Sequence, residues 1–329
     1  GELTVSTLRG EDGFQRKEVL KLTEWLRSEP APDIVILPNS LLIGLAKPIR
    51  KVVGRRVCCT LQGEDLFLSQ LQEPYRTRSL ELIRSAVDEV DGFVAVSHYY
   101  AGFMRRYLGI PEHKMHVVPL GINLDGCDPE FRLRADDFKV GYFARVAPEK
   151  GLHVLVETYL KLRRETEFSG ASLEVAGYLA PEHRDYLARL ERQMKDAGLA
   201  HEFHYRGVLD RQHKIDFLRS LDILSVPSTY DEPKGIFLLE AMANGVPAVQ
   251  PRRGAFPEIL EKTGGGVLVD PDDTGKLAQG ILALWKDRAL VDELGRRAAQ
   301  GVREHYTASL MAARALEVYR GVTAARAYA

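Results

Sequence analysis

The sequence predicts an α/β chain folded as two doubly wound, Rossmann-like units. Three observations carry this reading. Short apolar runs such as Asp33–Leu37 (DIVIL) and Lys139–Ala144 (KVGYFA) alternate with longer amphipathic stretches, the pattern of a parallel sheet covered on both faces. The alternation breaks once, over Gly121–Asp137 (GINLDGCDPEFRLRADD), then restarts; a polar stretch without period reads as an interdomain linker. Finally, 329 residues with 45% hydrophobic and 28% charged side chains supply two cores and exclude a mainly disordered chain.

In chain order, Leu3–Leu8 reads as the first apolar β run. A helix follows over Phe14–Arg27, with Val19, Leu20, Leu22 and Leu26 at helical spacing. Next come strand Asp33–Leu37, a helix near Ser40–Val53, strand Arg56–Leu61 (RVCCTL), helix Tyr75–Val87, strand Phe93–Val96, helix Tyr99–Leu108 and strand His116–Leu120. After the break, strands are expected at 139–144, 173–176, 203–205, 223–226, 248–250 and 267–269, with amphipathic helices between them. The last stretch reads as two helices split near Tyr306–Thr307. The expected divisions are an N-terminal unit over residues 1–125, a linker over 126–138, a C-terminal unit over 139–306, and a final helix over 307–329 that packs back toward the first unit. Ligands of such sheets sit at the carboxyl ends of the strands, so the site is sought there, in a cleft between the units.

Charge and cysteine content narrow the classes. Lys+Arg is 45 against Asp+Glu 46, a formal net charge of −1, which argues against a nucleic-acid binder that relies on a global basic field. Cys58, Cys59 and Cys127 cannot build a disulfide framework, and a reducing compartment is the simpler reading. No apolar run reaches about 18 residues, and the start shows no basic-then-apolar leader pattern. The expectation is a cytoplasmic protein, with peripheral contact to a membrane surface left open.

Two segments carry chemistry. In Pro227–Pro247 (PSTYDEPKGIFLLEAMANGVP) a polar turn precedes a strong helix-forming run from Ile236 to Asn244, which stops at Gly245-Val246-Pro247. Glu232 precedes the helix and Glu240 lies inside it. The backbone N–H groups of Gly235, Ile236 and Phe237 sit at its start, where free donors and the positive end of the helix dipole favour an anion. In Gly141–Gly151 (GYFARVAPEKG), Arg145 and Lys150 follow a strand end. Two cations there suit a diphosphate, Arg through paired hydrogen bonds and Lys as a point charge. Two solvated surface cations are the alternative.

Glu232 and Glu240, in the setting DEPKGIFLLEAMANGVP, resemble the signature of family 4 retaining glycosyltransferases of GT-B fold. ARVAPEKG is similar to that family's diphosphate-binding turn, and VVPLGIN (Val117–Asn123) to the segment closing its N-terminal domain. CTLQGEDLFL (Cys59–Leu68) and LPNSLLIGLA (Leu37–Ala46) resemble a bacterial subgroup. The resemblance implies that Arg145 and Lys150 hold the donor's diphosphate and that Glu240 accepts from the ribose hydroxyls. Glu232 would contact the transferred sugar. Gly235, Ile236 and Phe237 would offer backbone N–H groups to sugar and phosphate, and Val208 and Leu209 would border the base. Gln62, Gly63 and Ser97 would lie on the acceptor or sugar side, Ser97 at a strand end facing the cleft. Gln62 stands where the family usually has His, which removes a His-dependent proton step but leaves a carbonyl and an amide. The family's first domain opens with a further strand and a glycine-rich loop, so that domain is expected to be incomplete here and completed by an upstream segment or a partner.

Other signals in the sequence fit less well. Glu232 and Glu240 could suggest a glycosidase acid/base pair, but only one is on a helix and neither sits in an acidic cluster. His113/His116 and His201/His204 lack Cys or acidic partners at metal spacing. DDTGKL (Asp272–Leu277) lacks the glycine spacing of a Walker loop. The reading is therefore a retaining transferase that moves a sugar from a nucleotide-diphosphate sugar to an unidentified acceptor. It needs no cofactor and no metal, because protein cations oppose the charge of the leaving group. The alternative is a nucleotide-sugar-binding module without transfer activity of its own.

Overall fold

In the computed structural model, which describes residues 1–128 and 137–324, the alternation becomes two wholly parallel sheets in two units. Most of the expected 126–138 linker lies outside the described residues. The division falls at Gly121 rather than after 125, and again at Ser309.

Unit 1 contains α1 (Glu2–Leu8), α2 (Arg16–Ser28), β1 (Ile34–Leu37), α3 (Ala46–Val53), β2 (Arg56–Leu61), α4 (Glu64–Ser69), α5 (Tyr75–Ser85), β3 (Gly92–Ala95), α6 (His98–Leu108) and β4 (Met115–Val117). The helix over Ser40–Val53 is a 3-10 turn, Ser40–Leu45, running into α3. Strand order is β1-β2-β3-β4, with Ile34 opposite Arg56, Cys58 opposite Gly92 and Ala95 opposite Val117. Four strands form here, not five. The run Leu3–Leu8 is helix α1, not a strand. Its buried apolar residues Val5 and Leu8 are three apart, and Thr7 Oγ1 donates back one turn to Leu3 O at 2.9 Å. A three-residue spacing buries a helical face where alternation would bury a strand face. Cys58 and Cys59 lie fully buried in β2, and burial pushes the Cys58 thiol up to about 12.

Unit 2 contains β5 (Phe138–Phe143), α7 (Leu152–Glu165), β6 (Ala171–Ala176), α8 (Arg184–Asp196), β7 (Phe203–Tyr205), α9 (Arg211–Arg219), β8 (Ile223–Leu224), α10 (Ile236–Ala243), β9 (Ala248–Pro251), α11 (Phe256–Thr263), β10 (Gly266–Val269), α12 (Thr274–Lys286) and α13 (Arg288–His305). The last helix, α14 (Ala308–Ala324), belongs with unit 1 from Ser309 onward. The sheet order is β10-β9-β8-β5-β6-β7. The chain winds outward from β5 through β6 to β7, then returns to β8 and winds the other way. β5 and β8 are thus neighbours at a topological switch point, where adjacent crossovers diverge and leave a crevice at the strands' carboxyl ends. The strands read as continuous apolar runs because both faces are covered: all of β6 is buried. Phe168 anchors one face, edge-on to Phe138 and Tyr159 with ring centroids 6.2 and 5.6 Å away. Among the described residues, no helix is long and apolar enough to cross a membrane.

Candidate functional site

The two chemistry-bearing segments leave β5 and β8, the strands flanking the switch point. From β5 the chain turns through Arg145 and a short 3-10 turn, Pro148–Lys150, to Gly151 at the head of α7. Gly151 has φ of +75°, and a Cβ there would lie 1.9 Å from the carbonyl oxygen of Pro227. Thr229 N also donates to Glu149 O at 2.9 Å. Backbone contact thus locks the Lys150 turn onto the segment after β8.

Lys150 reaches across that contact. Its Nζ donates to Glu232 Oε2, and to Tyr230 Oη at 2.6 Å. The Tyr230 hydroxyl in turn donates to the same Glu232 oxygen. Lys150 Nζ also lies 4.9 Å from the Tyr230 ring centre and 5.8 Å from that of Phe237. Both charges are desolvated, with side-chain exposures of 11% for Lys150 and 5% for Glu232. Such a pair survives burial because each charge satisfies the other. Burial, then the Glu232 charge, drive the Tyr230 hydroxyl far above its ordinary range, so it remains a proton donor.

The helix α10 starts beside this triad. Gly235 is its N-cap at φ +64°, with no side-chain cap. Six of its eight residues are buried, leaving Ile236 and Glu240 as the positions that are not. Leu238 N already donates to Gly235 O at 3.0 Å, while the helix offers the N–H groups of Ile236 and Phe237 no acceptor of its own; those two donors and the dipole's positive end accompany Lys150. The helix ends on Gly245 at φ +74°, with Val246 N bonded to Ala241 O and Gly245 N to Met242 O.

Glu240 lies one turn along α10 and is paired: Lys214 Nζ of α9 donates to its Oε1 at 2.6 Å. The pair borders a cavity of about 130 Å³ that Asn123, Ile215, Leu218 and Asn244 also line. Val208 and Leu209 follow β7 after Gly207; Val208 is 69% exposed and Leu209 half-buried. Gly177, ending the β6 turn, would place a Cβ 1.8 Å from Ala144 O, so the loop after β6 also presses on the Arg145 turn.

Not every expected residue joins the triad. Arg145 is 58% exposed, its guanidinium bonded to Glu149 at 3.2 Å. Gln62 and Gly63, in unit 1, form a turn at the carboxyl end of β2, with Gln62 N bonded to Glu64 Oε2 at 2.6 Å and Gly63 N to Tyr100 Oη at 2.9 Å. Ser97 lies between β3 and α6. It is buried and caps α6, accepting from Tyr100 N at 3.2 Å, because a strand-to-helix Ser satisfies an orphan helix donor first.

Sequence reasoning missed three contributors: Tyr230, Lys214 and Arg253. Arg253 is bonded to Thr229 O at 2.5 Å and to the Asp272 carboxylate. Beside it, Gly254 at φ +56° would place a Cβ 2.4 Å from Glu232 O, and Ala255 N donates to that oxygen at 2.8 Å. The segment after β9 therefore cradles the loop carrying Tyr230 and Glu232. Among the described residues, no group of three or more His, Cys, Asp or Glu side chains is placed to hold a metal ion.

Residues 128–301 match the family described as Glycosyl transferases group 1, and residues 7–125 match Glycosyltransferase Family 4. The lipopolysaccharide core biosynthesis mannosyltransferase of Rhizobium meliloti is 30% identical over 80% of this chain and 72% of its own. The D-inositol 3-phosphate glycosyltransferase of Paenarthrobacter aurescens is 27% identical over 78% of this chain and 64% of its own. Of another curated relative the chain spans only 55%. The crystal structure of Anabaena HepE in complex with UDP superposes with a TM-score of 0.77 at 17% identity, covering 92% of this chain and 82% of that one, which shows a shared GT-B fold.

Proposed function

Because this chain belongs to the group 1 glycosyl transferases of family 4, with the GT-B fold, we propose that it is a retaining glycosyltransferase using a nucleotide-diphosphate sugar. The observation that carries the proposal is the meeting of Lys150, Glu232 and the uncapped start of α10 at one strand switch point. A diphosphate leaving an anomeric carbon accumulates negative charge on its β-phosphate. Lys150, Arg145 and the N–H groups at the start of α10 oppose that charge, and preorganised electrostatics of this kind is usually the largest catalytic term. These protein cations make the transfer metal-independent in this scheme.

The anomeric carbon–oxygen bond breaks with its electron pair passing to the phosphate oxygen. The acceptor hydroxyl attacks the same face and its proton passes to that oxygen, which gives retention. Glu240 accepts from the ribose hydroxyls after Lys214 yields them space, while Glu232 contacts hydroxyls of the transferred sugar. The UDP complex of the Anabaena protein supports a nucleotide-diphosphate sugar as the donor.

The test is thermal melting against a panel of nucleotide-diphosphate sugars, followed by a transfer assay with NMR of the product's anomeric centre. A sugar nucleotide that raises the melting temperature and gives a retained product, undiminished by EDTA, is expected. Inversion, or hydrolysis of a glycoside without any donor nucleotide, would overturn the proposal. Within it, Glu240→Gln should weaken nucleoside-diphosphate binding by about tenfold, the scale of a charged hydrogen bond. Glu232→Gln should spare that affinity and impair transfer. Calorimetry and initial rates on both variants check the division; equal losses of nucleotide affinity would refute it.

A further inference from the structure

In the structure described, the lysine proposed to meet the diphosphate is occupied by Glu232. To turn wholly to the diphosphate, Lys150 must leave a carboxylate only 5% exposed. Losing Lys150, its only ion-pair partner among the described residues, would leave that carboxylate buried and charged, a costly state unless another donor remains. Among the described residues, the Glu232 carboxylate accepts hydrogen bonds, besides that of Lys150, from Tyr230 Oη and, at 3.4 Å, from Lys234 N. Only the first is short. The Tyr230 hydroxyl is also the acceptor of a Lys150 hydrogen bond at 2.6 Å, so it already lies between the two charges. Arg253, bonded to Thr229 O, and Gly254, pressed on the Glu232 backbone, hold the loop that carries both residues.

We infer that Tyr230 is a positioning residue that makes exchange of Lys150 possible: when Lys150 turns to the donor's diphosphate, the Tyr230 hydroxyl stays on Glu232 Oε2 and stabilises its charge. The inference rests on the donor reading given above. Its consequence is that the hydroxyl's worth to nucleotide binding depends on Glu232 being charged. A hydroxyl that merely packs the loop would matter equally with or without that charge.

The experiment is a double-mutant cycle on the full chain. UDP, GDP and ADP are titrated by calorimetry into wild type, and the tightest is then titrated into Tyr230→Phe, Glu232→Gln and the double variant. Phe keeps the ring, its packing and its face toward Lys150, and melting curves confirm that each variant is folded. Tyr230→Phe should weaken binding by about tenfold in the wild-type background, as expected for one hydrogen bond to a charged group. In the Glu232→Gln background the same change should shift affinity less than about twofold, a value within ordinary scatter. Equal weakening in both backgrounds, or no weakening in either, overturns the role of Tyr230 while leaving the donor reading intact. Wild type that binds none of the three diphosphates overturns both. If Tyr230→Phe does not fold, Glu232→Gln alone still decides, because release of Lys150 should leave its affinity at least equal to wild type; a loss of tenfold contradicts the exchange.

Discussion

Lys150→Ala should cut sugar transfer by a factor of about 10² to 10³, the usual cost of removing one preorganised donor opposite a developing anion. The same change should also destabilise the second unit. It strips the ion-pair partner from a carboxylate that is 5% exposed, and breaking a buried pair on one side costs about 3–5 kcal/mol. The two effects separate in the double variant Lys150→Ala/Glu232→Gln. Neutralising Glu232 should restore most of the melting temperature while transfer remains low. Initial rates with saturating donor, alongside thermal melts, check this. A Lys150→Ala protein that retains wild-type transfer would remove Lys150 from the chemistry.

Gly151→Val should be a strongly damaging backbone change beside the site. A Cβ at Gly151 would lie 1.9 Å from Pro227 O, and φ there is +75°. Left-handed strain of about 1–2 kcal/mol adds to overpacking of about 1–3 kcal/mol. The sum, roughly 3 kcal/mol, should lower the melting temperature by roughly 6–12 °C for a unit of this size. Gly198 supplies the control: its φ is +76°, but a Cβ there meets nothing within 4 Å. Gly198→Ala should pay only the strain term and leave donor binding intact. Equal losses at the two positions would show that contact with Pro227 does not fix the Lys150 turn.

What could be read from the sequence was mostly local. Gly235 and Glu240 declared themselves because a turn, a helix start and a helix stop lie within one short stretch. The carboxyl ends of the strands followed from the alternation of strands and helices, whereas the switch point between β5 and β8 needed the strand order. The partners of the charged residues were not legible, because they come from far along the chain. Lys150 meets Tyr230 and Glu232 across 80 and 82 residues, and Lys214 meets Glu240 across 26. No periodicity encodes such pairings. Leu3–Leu8 was misread because a short run of Leu, Thr, Val and Ser satisfies both periods, and only its packing selects the helical one. Ser97 was legible as a strand end, and its further part as the cap of α6, accepting from Tyr100 N, appears only in the structure.

On the proposal above, Lys150 and the start of α10, in the second unit, bind the β-phosphate of a sugar nucleotide. Calorimetric titration of one nucleoside, its monophosphate and its diphosphate into wild type and Lys150→Ala tests it most directly. The expected result is a gain of at least about tenfold from monophosphate to diphosphate in wild type, on the scale of a charged hydrogen bond, and loss of that gain in the variant. Equal affinity of wild type for monophosphate and diphosphate, or a gain that survives Lys150→Ala unchanged, would contradict it.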